Sequence, residues 1–212
     1  MHLAILTSAQ LRVLDQLKTI EPVHDFYLAG GTALALRHGH RRSVDFDFFR
    51  NGELKRAALF REIHEAFPDV ERIPTDPSAL YVVIEGVTTS FFPYRYPQLA
   101  PGHPTGWGFD LASDDDIAAM KLEAIAGRGS RKDFVDLRVV CAAGYSLERV
   151  FDLFERKFGA TRTSRYHRIR ALGYFADAEA EPMPDMLIDF DWAEAIRFFS
   201  SEATRLLETL DC

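Results

Sequence analysis

An α+β protein, with a mixed sheet and flanking helices in its first half followed by a C-terminal helical region, is predicted by three features of this chain. Short apolar runs bounded by turn formers lie before Pro104. From Ser113 onward apolar residues recur every three to four positions, the period of a helix. Between the two patterns lies Pro93 to Pro104, rich in Pro, Tyr and Gly and the best candidate linker. The expected division is a core over 1–104 and a helical domain over 105–212.

The elements follow in order. Ser8 to Ile20 is predicted as an amphipathic helix, with Leu11, Leu14 and Leu17 at helical spacing and Thr7 or Ser8 as cap. Tyr27 to Ala29 is a short buried strand, and Thr32 to His38 carries helix formers after the Gly30-Gly31 pair. Val44 to Phe49 is a strand that Phe46, Phe48 and Phe49 make too apolar for a sheet edge. A helix over Glu53 to Phe67 precedes strands at Val70–Ile73, Tyr81–Glu85 and Val87–Phe92, the last two joined at Gly86. Helices are expected over 114–127, 131–143, 147–158, 163–175 and 191–209, broken near Gly129, Gly144 and Gly159 and by Pro182 and Pro184.

Composition sets outer limits. A chain of 212 residues with 47% hydrophobic content buries a substantial core. No apolar run reaches membrane-spanning length, and the opening MHLAILTSAQ lacks the basic region and long apolar core of a signal peptide, so a cytoplasmic protein with no membrane partner is expected. Cys141 sits in an apolar helical pattern and Cys212 is the last residue, which suggests neither a disulfide framework nor a zinc site. A net charge of −7 argues against a surface coated for nucleic acid. Two basic segments remain: Arg37, His38, His40, Arg41 and Arg42, and then Arg162, Arg165, His167, Arg168 and Arg170. The first adjoins the anion site described next; the second reads equally well as a solvated helix surface. If it binds RNA, replacing Arg165 and Arg168 weakens that binding and flattens its salt dependence.

The chemistry-bearing stretch joins Leu28-Ala29-Gly30-Gly31-Thr32 to Ser43-Val44-Asp45-Phe46-Asp47-Phe48-Phe49. A glycine turn opening a helix aims backbone N–H groups, and the helix's positive end, at an anion such as a phosphate. In a strand, residues i and i+2 share a face with Cα atoms roughly 6–7 Å apart. Asp45 and Asp47 therefore converge on one side, where like charges need a cation between them, and paired carboxylates suit Mg²⁺ completed by substrate phosphates. Later in the chain Lys121 shares a helix face with Ile117, Ala118, Ala124, Ile125 and Arg128. Either its stem snorkels to the edge or its charge meets an anion in a cleft. Asp133 follows Ser130 at capping-box spacing, so its carboxylate is also explained as a helix cap, as are Ser113 and Asp116.

The run YLAGGTALALRHGHRRSVDFDFF resembles the first motif of the nucleotidyltransferase superfamily, a Gly-Gly or Gly-Ser pair followed by Asp-x-Asp, and more narrowly the AbiEii/AbiGii toxin family. Lys121-Leu122-Glu123-Ala124 and Arg128 to Leu137 are similar to that family's Lys-Leu-x-Ala and Arg-x-x-Lys-Asp-x-x-Asp-Leu motifs, so the resemblance spans about residues 26 to 140. It implies a nucleotidyltransferase-like fold and an Mg²⁺-dependent transfer of a nucleoside monophosphate from a nucleoside triphosphate to an acceptor hydroxyl. Gly30, Gly31 and Thr32 would cradle the triphosphate, Asp45 and Asp47 would hold the metal, and Lys121 would neutralise the leaving pyrophosphate. Asp133, ahead of Asp136, matches an acidic residue of the family's active centre. Ser43 matches a serine of related toxins and would touch a phosphate, be modified, or simply serve the turn. The expected third carboxylate is missing, with Ser90 standing where it would be, and Glu85 cannot be assumed to replace it because an odd shift reverses the strand face.

Three functions follow. A toxin modifying tRNA, restrained by a cognate antitoxin, leads. Transfer to a hydroxyl of a partner protein is the second, and a catalytically inactive nucleotide-binding or partner-binding module the third.

Overall fold

The computed structural model describes residues 1–159 and 165–210 of the chain, so Arg162 and Cys212 lie outside the described residues. The chain divides into two compact units, Met1–Ser113 and Asp114–Cys212.

The first unit is built on a seven-stranded mixed sheet. Helix α1 (Ser8–Leu17) opens on a capping box in which Thr7 and Gln10 bond each other's backbone N–H. It ends short of the expected Ile20, where the chain turns into a 3-10 segment at Glu21–Asp25. Strand β1 (Tyr27–Ala29) runs directly into α2 (Gly30–His38), and β2 (Asp45–Arg50) follows. After α3 (Arg56–Ala66) come β3 (Glu71–Ile73), β4 (Leu80–Ile84) and β5 (Val87–Pro93). The β4–β5 hairpin turns through Glu85 at φ 49° and Gly86 at φ 77°, the paired positive angles that match the twist of its strands.

The strand order is β3-β4-β5-β2-β1, continued by β7 (Asp110–Leu111) and β6 (His103–Pro104). Strand β2 pairs with β1 on one side and β5 on the other, so the Asp-bearing strand is central and the solvated-edge reading falls. Because β7 pairs with β1, residues after 104 complete the first sheet, and the two units separate at Ser113/Asp114. The Pro-rich stretch from Pro93 to Pro104 thus begins as the end of β5 and finishes as β6.

One sheet face is mainly apolar, with Thr89 a buried polar residue on it. Leu28, Phe46, Phe48, Val82, Ile84 and Phe91 are completely buried there, with Phe48 stacked 5.1 Å from Phe91 and edge-on to Phe109. Alternation then turns Asp45 and Asp47 to the opposite face, half-buried.

The described part of the second unit is helical: α4 (Asp114–Arg128), α5 (Arg131–Ala142), α6 (Leu147–Phe158), α7 (Arg165–Leu172), α8 (Ala176–Ala180) and α9 (Trp192–Leu210). The single helix expected over 163–175 ends at Leu172, and a second short helix follows. Phe134 centres an aromatic cluster with Phe175, Trp192 and Phe199 at 5.2, 6.1 and 5.4 Å. Among the described residues no helix is long and apolar enough to cross a membrane.

Candidate functional site

The register of β1 on β2 sets Ala29 opposite Asp47, so the chain enters α2 directly beside that carboxylate. Gly30 makes this approach possible: its φ is 67°, and a Cβ there would stand 2.8 Å from Asp47 Oδ2. Gly31 answers a different need. A Cβ on it would lie 2.2 Å from Arg41 Nη2 and 3.3 Å from Ser43 Oγ. The buried Arg41 guanidinium therefore rests on the first turn of α2, and its Nη1 donates to the Arg42 carbonyl at 2.9 Å.

Three further bonds fix the segment before β2. The Thr32 hydroxyl donates to the Asp45 carbonyl, and Ser43 Oγ donates to Asp45 Oδ1 at 3.3 Å. From α1, the Gln10 amide donates to the Ser43 carbonyl at 2.7 Å. Gly30, Gly31, Thr32, Ser43, Asp45 and Asp47, predicted as one constellation, thus come together around the start of α2. In the sequence Arg41 stands only as part of a basic run; its place against Gly31 depends on the path of the loop back to β2.

Parallel pairing with β5 sets Thr88 level with Asp45 and Ser90 level with Asp47. Ser90 is therefore the strand neighbour at which a third carboxylate would stand. Glu85 is held elsewhere, at the hairpin turn, where it pairs with Arg12 at 2.9 Å. Among the described residues no group of three or more His, Cys, Asp or Glu could hold a metal ion. Two carboxylates suffice for Mg²⁺ when substrate oxygens and water fill the other positions, so the donor set fits a metal that arrives with its substrate. Tyr81 lies across from Ser90 on β4 and was not singled out by the sequence, because its placement depends on strand order. Burial, followed by the charges of Asp76 and Asp47, raises the Tyr81 phenol above its ordinary value and keeps it protonated as a donor.

In the second unit Lys121 and Asp133 also come together. Lys121 Nζ lies 2.9 Å from Asp133 Oδ1 and 2.6 Å from Asp136 Oδ2, and both carboxylates are fully buried. Arg128 donates from Nε to Asp133 Oδ2 at 2.7 Å and from Nη2 to Oδ1 at 3.0 Å. Burial alone would raise the Asp133 carboxyl, but Lys121 and Arg128 outweigh it and hold the group below its ordinary value. One expectation is corrected here. The Asp133 carboxylate meets cations instead of capping a helix: Ser130 makes no side-chain cap bond, and its hydroxyl donates to Glu181 at 2.6 Å. Asp116 pairs through Oδ1 with the buried Lys157 at 2.6 Å.

The chain matches the family described as Nucleotidyl transferase AbiEii toxin, Type IV TA system, over residues 12–114 and 93–211. An uncharacterized protein of Aquifex aeolicus (strain VF5), aq_aa25, is 37% identical over 207 residues, covering 96% of this chain and 98% of that protein. The fold is similar to the crystal structure of JHP933 from Helicobacter pylori, at TM-score 0.52 and 15% identity over 99% of this chain and 92% of that one. It is also similar to ANT(2″)-Ia, solved in complex with adenylyl-2″-tobramycin, at TM-score 0.50 and 15% identity over 69% of this chain and 95% of the other.

Proposed function

Because the chain belongs to the AbiEii nucleotidyl transferase toxin family, we propose that it moves a nucleoside monophosphate from a nucleoside triphosphate onto an acceptor hydroxyl of tRNA, with Mg²⁺, and that a cognate antitoxin protein restrains it. The observation that carries this reading is the approach of Gly30 to Asp47, which sets a helix start beside paired carboxylates.

Backbone N–H groups at Gly30, Gly31 and Thr32 bind the triphosphate, and the buried Arg41 adds positive charge at the same turn. Asp45 and Asp47 would hold Mg²⁺, which when bound supplies charge stabilisation to the reacting phosphoryl group. The acceptor oxygen bonds to the α-phosphorus as the bond to the β-phosphate oxygen breaks, and pyrophosphate leaves. An aspartate of the pair takes the hydroxyl proton. The family resemblance also gives Lys121 and Asp133 parts in the reaction; Asp133 and Asp136 would keep the Lys121 ammonium charged and oriented.

One observation favours a protein acceptor instead: the net charge of −7 suits a protein hydroxyl better than an extended RNA footprint. Incubation with Mg²⁺, each α-labelled nucleoside triphosphate and either total tRNA or lysate separates the readings. Label on RNA, absent with the Asp45→Ala, Asp47→Ala variant, is expected. Label on a protein band would move the acceptor to protein, and no label with nucleotide binding retained would leave a binding module.

A further inference from the structure

The second basic segment divides by helix face. Arg165 lies over the Phe151 ring at 4.7 Å and pairs with Glu155 at 2.9 Å. Arg168 is only 2% exposed, lies 3.7 Å over the Phe154 ring and reaches Glu123 at 3.3 Å. These two cations tie α7 to α6 and α4. The other face carries His167, Arg170 and Ala171 at the i, i+3, i+4 spacing, and with Tyr174, just past the helix end, it lines a cavity of about 330 Å³. The facing wall is the end of α4, where Gly127 and Arg128 stand, with Asp177 closing one side.

The cavity thus gathers two arginines from different helices, a histidine and a tyrosine that is 56% exposed, in a chain of net charge −7. Arginine forks suit phosphate oxygens, and an exposed phenol ring offers a face to an unstacked base. Nothing lies within 4 Å of the position a Cβ would take on Gly127, which leaves that backbone open to close approach. Asp177 is an acceptor for a ribose hydroxyl or a base N–H. We infer that this cavity of the helical unit binds single-stranded RNA, holding a phosphate between Arg128 and Arg170 and stacking a neighbouring base on Tyr174. The inference rests on the reading of RNA as the acceptor and adds to it a contact site.

Fluorescence anisotropy with a labelled single-stranded RNA of about ten nucleotides tests it, over 50 to 200 mM KCl. Arg170→Gln is expected to raise Kd about fivefold and to lower the salt slope by about 0.7. Tyr174→Leu is expected to raise Kd about tenfold with the slope unchanged. Both side chains are exposed, so the unfolding temperature of each variant should match the parent. Parent-like binding by both variants, or no RNA binding by the parent protein, would overturn the inference. So would loss of affinity for inorganic phosphate alone, which marks a small-anion site. Variant-specific loss of RNA binding without label transfer in the parent would sustain the cavity and remove the acceptor reading, whereas transfer with unaltered variants would remove only the cavity.

Discussion

Gly30 and Gly31 are adjacent but irreplaceable for different reasons, and substitution separates them. Gly30→Ala forces a side chain into the left-handed region at a cost of about 1–2 kcal/mol and pushes on Asp47, so both stability and transfer should fall. At Gly31 the backbone is ordinary helix and the added Cβ meets side-chain ends, the Arg41 guanidinium and the Ser43 hydroxyl. Gly31→Ala should therefore unfold near the parent temperature yet bind inorganic triphosphate more weakly, a split that calorimetric titration beside thermal melts will read. For the carboxylates, Asp47→Ala should lower transfer on the order of a thousandfold while leaving the fold intact, because the side chain is half-buried on the sheet's polar face. These residues were legible in the sequence because each carries its own local signal: a glycine pair, or a two-residue alternation. Arg41 and Tyr81 were not, since one depends on a loop's return path and the other on which strand lies beside β5.

Helices α4 and α5 show what a motif cannot disclose by spacing. Ser130 to Asp133 has the form of a cap, and only the packing of the two helices reveals that the carboxylate turns to Lys121 and Arg128. A buried network of this kind is costly to break from one side, because the partner charge stays behind. Asp133→Asn should cost about 3 kcal/mol at pH 7, measured by urea unfolding. Its pH dependence has a definite sign. The folded protein holds the Asp133 carboxyl below its ordinary value, so the stabilisation is present above the unfolded-state pKa and is lost as pH falls through the lower folded value. Parent and variant should therefore converge in strong acid and diverge towards neutrality; a constant gap would mean that the asparagine acts through packing alone.

For the molecule as a whole, the change from strands to helices was legible from the apolar period, but the full extent of the sheet was not. Strands His103–Pro104 and Asp110–Leu111 are too short to show alternation, and they belong to the first sheet only through pairing with Tyr27–Leu28 and each other. Overall charge carries a consequence of its own. At a net −7 the chain repels a polyanion at long range, so RNA affinity has to come from the few cations gathered in one place. Arg165 and Arg168 pack on Glu155, Glu123 and two phenyl rings, whereas Arg170 and Arg128, the latter also paired with Asp133, line the cavity. Each phosphate neutralised contributes about −0.7 to the slope of log affinity against log salt for a single strand. One such contact, or two at most, predicts a slope of about −1, shallow beside that of a protein coated with basic residues. Anisotropy titrations across salt concentrations measure it directly. A slope steeper than about −5 would require many more phosphate contacts than these cations supply and would place the RNA on a surface other than the α4–α7 cavity.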